Sequence, residues 1–226
     1  MELVPNRGAL RVPGATDGEG ALSGAVVAVQ LCSSRATQVL CQFSRSDAIR
    51  RFVSGSALTL KRGLNDHEVG RIILGTTTGD WTSPAAANRV QLLLGARCPA
   101  LDVQTACSSW MFALDQAARL VATGVRNVLV IGADVKSRFV RTDDHRLFPV
   151  FGDGAGAVVV DAWDGDDGLL QLELYSDGAC YPNLLTPAGG SALPATVETV
   201  TGDLHTTRMT IPGQEIKAHA AWMLSR

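Results

Sequence analysis

Leu101-Asp102-Val103-Gln104-Thr105-Ala106-Cys107-Ser108-Ser109-Trp110 is the stretch on which the reading of the fold turns. Residues 101–106 read as a short strand. They lead without a break into Cys107-Ser108-Ser109, after which Met111, Leu114, Ala117, Ala118 and Val121 keep an apolar face at helical spacing as far as Gly124. Strand, cysteine and helix therefore follow one another, with Cys107 expected at the first helical position. A helix N-terminus offers unpaired N–H groups and a partial positive charge, and both favour a thiolate over a thiol. The same N–H groups can hold the oxyanion formed when a thioester carbonyl is attacked. Small neighbours (Ala106, Ser108, Ser109) leave room for an acyl group. Those features together suit covalent acyl transfer. The competing reading is a small buried hydrophobe, which is what most free cysteines are.

The same alternation extends in both directions. Upstream, Arg71-Ile72-Ile73-Leu74 reads as a buried strand running into a polar loop, and Ser83-Pro84 is expected to open a helix, as N-cap and first-turn residue, that stops at Gly95. Downstream, Asn127 to Gly132 is a second buried strand. A charged loop (Arg141 to Arg146) follows, then Phe151-Gly152-Asp153-Gly154-Ala155-Gly156-Ala157 ahead of a strand over 157–160. Residues 168–175 read as an edge strand, 179–207 as a long Gly/Pro/Thr-rich loop and Pro212 to Arg226 as a helix. Near the N-terminus, 25–31 reads as a strand, while 1–45 form a divergent segment distinct from 46–226. Strands alternating with helices predict an α/β domain with a mixed, mainly parallel sheet.

Composition narrows the function. With 46% hydrophobic and 19% charged residues and a net charge of −2, the chain is globular and has no basic footprint for nucleic acid. No apolar run is long enough to span a bilayer, and residues 1–20 lack the apolar region of a secretory leader. Five cysteines (32, 41, 98, 107 and 180) make no CxxC pair and no metal-ligand spacing, so no metal and a reducing, cytoplasmic setting are expected, with the other four cysteines structural. The glycine block precedes a strand, whereas a dinucleotide loop follows one and opens a helix, so that reading is rejected. Its glycines are expected to let backbone pack beside the Cys107 helix.

The run from Asp102 to Trp110 with Ala113-Leu114 resembles the active-site segment of ketoacyl-ACP synthase III and its relatives. So do Val128 to Asp134 with Ser137-Arg138, the glycine block 151–157, Tyr175-Ser176-Asp177-Gly178 and Pro212 to Lys217, in that order. The resemblance implies the N-terminal half of a thiolase-like layered sandwich, truncated before the second half. It implies that Cys107 is acylated from a thioester, with coenzyme A or a carrier-protein phosphopantetheine as handle and no bound cofactor. Acyl-CoA, acyl carrier protein and a homodimer or complementary chain are the implied partners, in fatty-acid or polyketide-type synthesis. Arg146, in Asp144-His145-Arg146, stands one place from the family's nucleotide-contacting arginine.

The sequence also departs from that family. The family's second half carries a His and an Asn for decarboxylation. None of His67, His145, His205 and His219 lies in a matching motif: the first three read as loop residues and His219 as a helix residue. Ser83 replaces the family's aromatic ahead of the helix at Pro84, with Trp81 nearby, and Gln42 to Arg45 with Arg50-Arg51 only faintly resembles its coenzyme A segment. A catalytically incomplete fragment, or a structural half-subunit needing a partner chain, is the alternative.

Overall fold

The computed structural model describes residues 68–162, 169 and 172–224; the strand expected at 25–31, the boundary at residue 45, His67, Cys32, Cys41 and the coenzyme A-like segment lie outside them. The described residues divide into two compact bodies, one holding 68–134 with 153–162, the other 135–152 with 175–224.

The first body is organised by a four-stranded sheet of β1 (Arg71–Gly75), β2 (Ala100–Val103), β3 (Val128–Val135) and β4 (Asp153–Val160), in the order β2-β1-β3-β4. β1 pairs in parallel with both neighbours, Ile73 lying opposite Leu101 on one side and Val130 on the other. The Arg126 guanidinium, just ahead of β3, binds the Asp161 carboxylate, just after β4, at 2.6 Å. The start of β3 thus lies beside the end of β4, as antiparallel neighbours require, so the sheet is mixed and mainly parallel as expected.

Ile72, Ile73 and Leu74 are all fully buried, the mark of a strand covered on both faces. The alternation of strand side chains explains how. Ile72, Leu74, Leu129, Ile131 and Val159 pack with Ala86, Ala87 and Val90 of α1 (Ala86–Leu94). Ile73, Val128, Val130, Val158 and Val160 pack with Ala113 and Ala117 of α2 (Ser109–Ala122) on the opposite face. Three layers result.

Three expectations need correction here. The first helix starts at Ala86 rather than at Ser83-Pro84, with Ala85 as N-cap and no cap from its own side chain. Its cap comes from the sheet, because Asp102 of β2 accepts hydrogen bonds from the amides of Ala86 (2.7 Å) and Ala87 (2.8 Å). The carboxylate satisfies two orphan donors and meets the positive end of the helix dipole. The end of that helix is as expected, at Gly95 with φ of 69°. Next, the glycine block belongs inside β4, since alternating glycines tolerate an extended backbone, and nothing lies within 4 Å of where Cβ atoms would stand on Gly154 or Gly156. Those glycines therefore make no close approach to the Cys107 helix. Lastly, residues 172–177 are irregular rather than an edge strand.

The second body carries more structure than a long loop. A 3₁₀ turn (Gly178–Asn183) precedes an antiparallel pair, β5 (Leu184–Leu185) with β6 (Arg208–Met209). Between these strands α3 (Val197–Thr201) is closed by a capping box, the Thr196 side chain accepting from the Thr199 amide and the Thr199 hydroxyl from the Thr196 amide. The expected terminal helix is α4 (Gly213–Leu224).

Candidate active site

Cys107 lies in a tight turn between β2 and α2, not on the helix itself. The helix begins at Ser109 with Ser108 as N-cap, one residue beyond Cys107. The turn is bonded internally: the Ser108 amide donates to the Thr105 carbonyl (3.2 Å) and the Ser109 amide to the Ala106 carbonyl (3.1 Å). Ala106 is held at φ of 52°, in the left-handed region that costs a non-glycine residue about 1–2 kcal/mol. The buried Ser109 side chain locks that conformation, with its Oγ donating to the Ala106 carbonyl at 2.6 Å and accepting from the Thr105 amide at 2.9 Å. The strained turn leaves Cys107 exposed. Its exposure removes the buried-hydrophobe reading. Cys98, by contrast, is buried, and that burial pushes its thiol up, as befits a structural cysteine.

N–H groups at the helix start are expected to be free for an oxyanion, but the amides of Ser108 and Ser109 are used by the turn. An oxyanion donor must therefore come from other groups.

Two glycines position the turn, and neither was singled out in the sequence. Gly75, the last residue of β1, and Gly132, midway along β3, are register partners. A Cβ on Gly75 would stand 2.8 Å from the Ser109 carbonyl carbon, and one on Gly132 would stand 3.2 Å from the Trp110 ring. At Gly75, whose neighbours are backbone, only glycine lets the first turn of α2 settle this close to the sheet. Next to them, the Asp134 carboxylate accepts from the Thr77 amide (2.8 Å) and from the hydroxyls of Thr77 (2.9 Å) and Thr78 (3.0 Å). That cluster ties the loop after β1 to the end of β3. A glycine ending one buried strand and another midway along its neighbour is the signal that would have pointed to this seat.

Arg146 belongs to the second body. Its exposed guanidinium grips Asp144 through two contacts of 3.2 Å, while the Arg146 amide donates to the same carboxylate at 3.0 Å. This pairing holds the Asp144 carboxyl below its ordinary range. His145 is exposed in the same loop, as expected. His205 meets the Thr199 hydroxyl at 3.0 Å and serves the α3 turn. His219 is on α4, its ring 5.7 Å from that of Trp222.

The model of 3-oxoacyl-[acyl-carrier-protein] synthase III matches residues 101–178, and the model of the beta-ketoacyl synthase N-terminal domain matches residues 44–137. The beta-ketoacyl-[acyl-carrier-protein] synthase III of Symbiobacterium thermophilum is 40% identical over 152 residues, which are 66% of this chain and 46% of that protein. That of Clostridioides difficile is 42% identical over 148 residues, 65% of this chain and 45% of the other. The crystal structure of 3-oxoacyl-(acyl carrier protein) synthase III from Pseudomonas aeruginosa matches with a TM-score of 0.64 at 29% identity, over 80% of this chain and 53% of that one. This chain is ketoacyl-ACP synthase III-like, with a thiolase-type fold. Part of the synthase III match (residues 101–178) runs through β2, the Cys107 turn and α2, so the likeness includes the candidate nucleophile's own segment. A priming beta-ketosynthase of a polyketide pathway shares the fold at 23% identity. The ketoacyl synthase III-like chain spans about half the length of the curated relatives it matches. None of its described helices is long and apolar enough to cross a membrane.

Proposed function

We propose that this chain supplies the acyl-accepting cysteine of a 3-oxoacyl-ACP synthase III-type condensing enzyme, with Cys107 as the nucleophile. The observation that carries this is the exposure of Cys107 at the tip of a strained, side-chain-locked strand-to-helix turn, while Cys98 is buried. In the step proposed, the Cys107 thiolate attacks the carbonyl carbon of an acyl thioester. The new C–S bond forms as the carrier's C–S bond breaks, and the carrier leaves as a thiolate that takes up a proton. Coenzyme A or the phosphopantetheine of an acyl carrier protein is the handle, and no bound cofactor is required. Arg146, whose guanidinium is exposed on a loop, is the proposed contact for the handle's phosphates, since arginine forks suit phosphate oxygens. The decarboxylating His and Asn are to be provided by a complementary partner chain, and cytoplasmic fatty-acid synthesis is the proposed setting. Polyketide priming is the narrower variant.

The test is intact-mass spectrometry after incubation with short acyl-CoAs. The parent should gain one acyl group, Cys107→Ala and Cys107→Ser none, and Arg146→Ala should need about tenfold more acyl-CoA for the same loading, the scale of one charge-assisted contact. An adduct that persists in either Cys107 variant rejects the assignment. A folded parent that takes up no acyl group favours instead the catalytically incomplete half-subunit.

A further inference from the structure

The sequence contains no metal-ligand spacing, yet the fold gathers three ligand-type side chains within the second body. Asp177 caps the 3₁₀ turn, Cys180 lies inside that turn, and His219 comes from α4. One ligand atom from each, all within 4.8 Å of one another, could face a common point. The Asp177 Oδ2 lies 3.4 Å from the His219 Nε2 and 3.7 Å from the Cys180 Sγ. Tetrahedral zinc, with bonds of about 2.0–2.3 Å, sets its ligand atoms roughly 3.3–3.7 Å apart. Both of these separations fall in that range.

Three further features point the same way. The His219 Nε2 is a buried atom that makes no hydrogen bond, because its approach to Asp177 has ion-pair distance without hydrogen-bond geometry. A buried orphan nitrogen calls for a partner. The other oxygen of Asp177 is oriented by the Ala179 amide at 2.9 Å, and the Trp222 ring packs beside the imidazole. Outer-shell contacts of this kind fix ligand geometry around a metal. Without a metal, partial burial and the Asp177 charge push the Cys180 thiol up, so that it donates weakly to the carboxylate.

We propose that Asp177, Cys180 and His219 form a binding site for a divalent zinc ion that fastens α4 to the 3₁₀ turn. One thiolate, one imidazole and one carboxylate match the borderline softness of zinc, and water completes the fourth position. On binding, the Cys180 S–H bond breaks, its proton goes to solvent and a zinc–sulfur bond forms; nothing is oxidised or reduced. The site is separate from the acyl-transfer reading and is tested independently of it.

The experiment titrates the full chain, reduced and free of chelators, with cobalt(II) and follows the thiolate-to-cobalt charge-transfer absorption. A saturable band that zinc displaces is expected. Cys180→Ser should lose it, His219→Gln and Asp177→Asn should weaken binding by about tenfold or more, and Cys107→Ser should keep it. Circular dichroism of each variant checks folding, and zinc should raise the melting temperature of the parent but not of His219→Gln. No band in folded parent, a band that survives in Cys180→Ser, or unchanged affinity in both other variants would overturn the proposal.

Discussion

Gly75 shows how a single missing side chain can shape the turn that carries Cys107. The three nearest atoms to its absent Cβ are all backbone, belonging to Ser109 and Trp110 at 2.8–2.9 Å, so an added methyl must push the first turn of α2 off the sheet. At Gly132 the nearest atoms belong to the Trp110 side chain, whose ring can tilt away. The two substitutions should therefore differ although both add one methyl. We expect Gly75→Ala to cost about 2–3 kcal/mol and Gly132→Ala about 1 kcal/mol, following the usual scale of overpacking. Urea midpoints measure the stabilities, and the rate of acyl mass gain reports the turn. Equal losses in the two variants would show that the α2 approach is not what these glycines protect. Cys107 could be singled out as a candidate in the sequence because strand and helix periodicity meet close to it. Gly75 and Gly132 could not, since their significance depends on which strands lie side by side.

At the scale of elements, α1 depends on a carboxylate from a strand that follows it in the chain. Ser83 and Pro84 have the chemistry of a helix start, yet the helix begins at Ala86, where Asp102 binds the first amides from β2. Local sequence rules see only a helix's own flanks, so a cap delivered through the parallel pairing of β1 with β2 escapes them. Asp102→Ala should cost about 1–2 kcal/mol, the usual worth of a cap, with Asp102→Asn recovering part of it through the remaining carbonyl oxygen. A denaturation curve unchanged in Asp102→Ala would show that α1 does not need this cap. A second carboxylate joins β3 to β4. Burial pushes the Asp161 carboxyl up, but hydrogen bonds from the Arg126 guanidinium and the Asn127 and Ala162 amides outweigh it and hold the group below its ordinary range. A folded value below the unfolded one means that its stabilisation is complete above about pH 4 and is lost as pH falls through the folded value. The stability gap between the parent and Asp161→Asn should thus be constant from pH 7 down to about 4 and shrink below it. A gap that stays constant through the acid range would contradict the pairing. The strands and their parallel sense could be read from their continuous apolar runs, whereas the second body could not. Its β5–β6 pair is only two residues long on each side, too short for any periodicity to register.

For the molecule as a whole, α2 poses the sharpest physical problem. Between Ser109 and Ala122 only Asp115, Gln116 and Arg119 are strongly polar, a composition that suits a helix covered on every side. The sheet covers one side, burying Ser109, Ala113, Ala117 and Ala118. Met111 remains 41% exposed, and Trp110, Phe112, Leu114 and Leu120 are only partly buried. α1 likewise presents Leu92 at 79% exposure. Exposed apolar surface on this scale marks a place where another layer belongs. The chain spans about half the length of the curated relatives it matches. In isolation the chain should therefore associate as its concentration rises, through the open side of α2. Met111→Glu should shift sedimentation toward the smaller species, and because Met111 contributes little to the core, its urea midpoint should move by less than about 0.5 kcal/mol equivalent. Leu92→Glu, on the opposite face of the sheet, separates this helix from general stickiness. If both variants reduce association equally, the exposed surface acts without preference; if only Met111→Glu does, the open side of α2 is the face that a second layer covers.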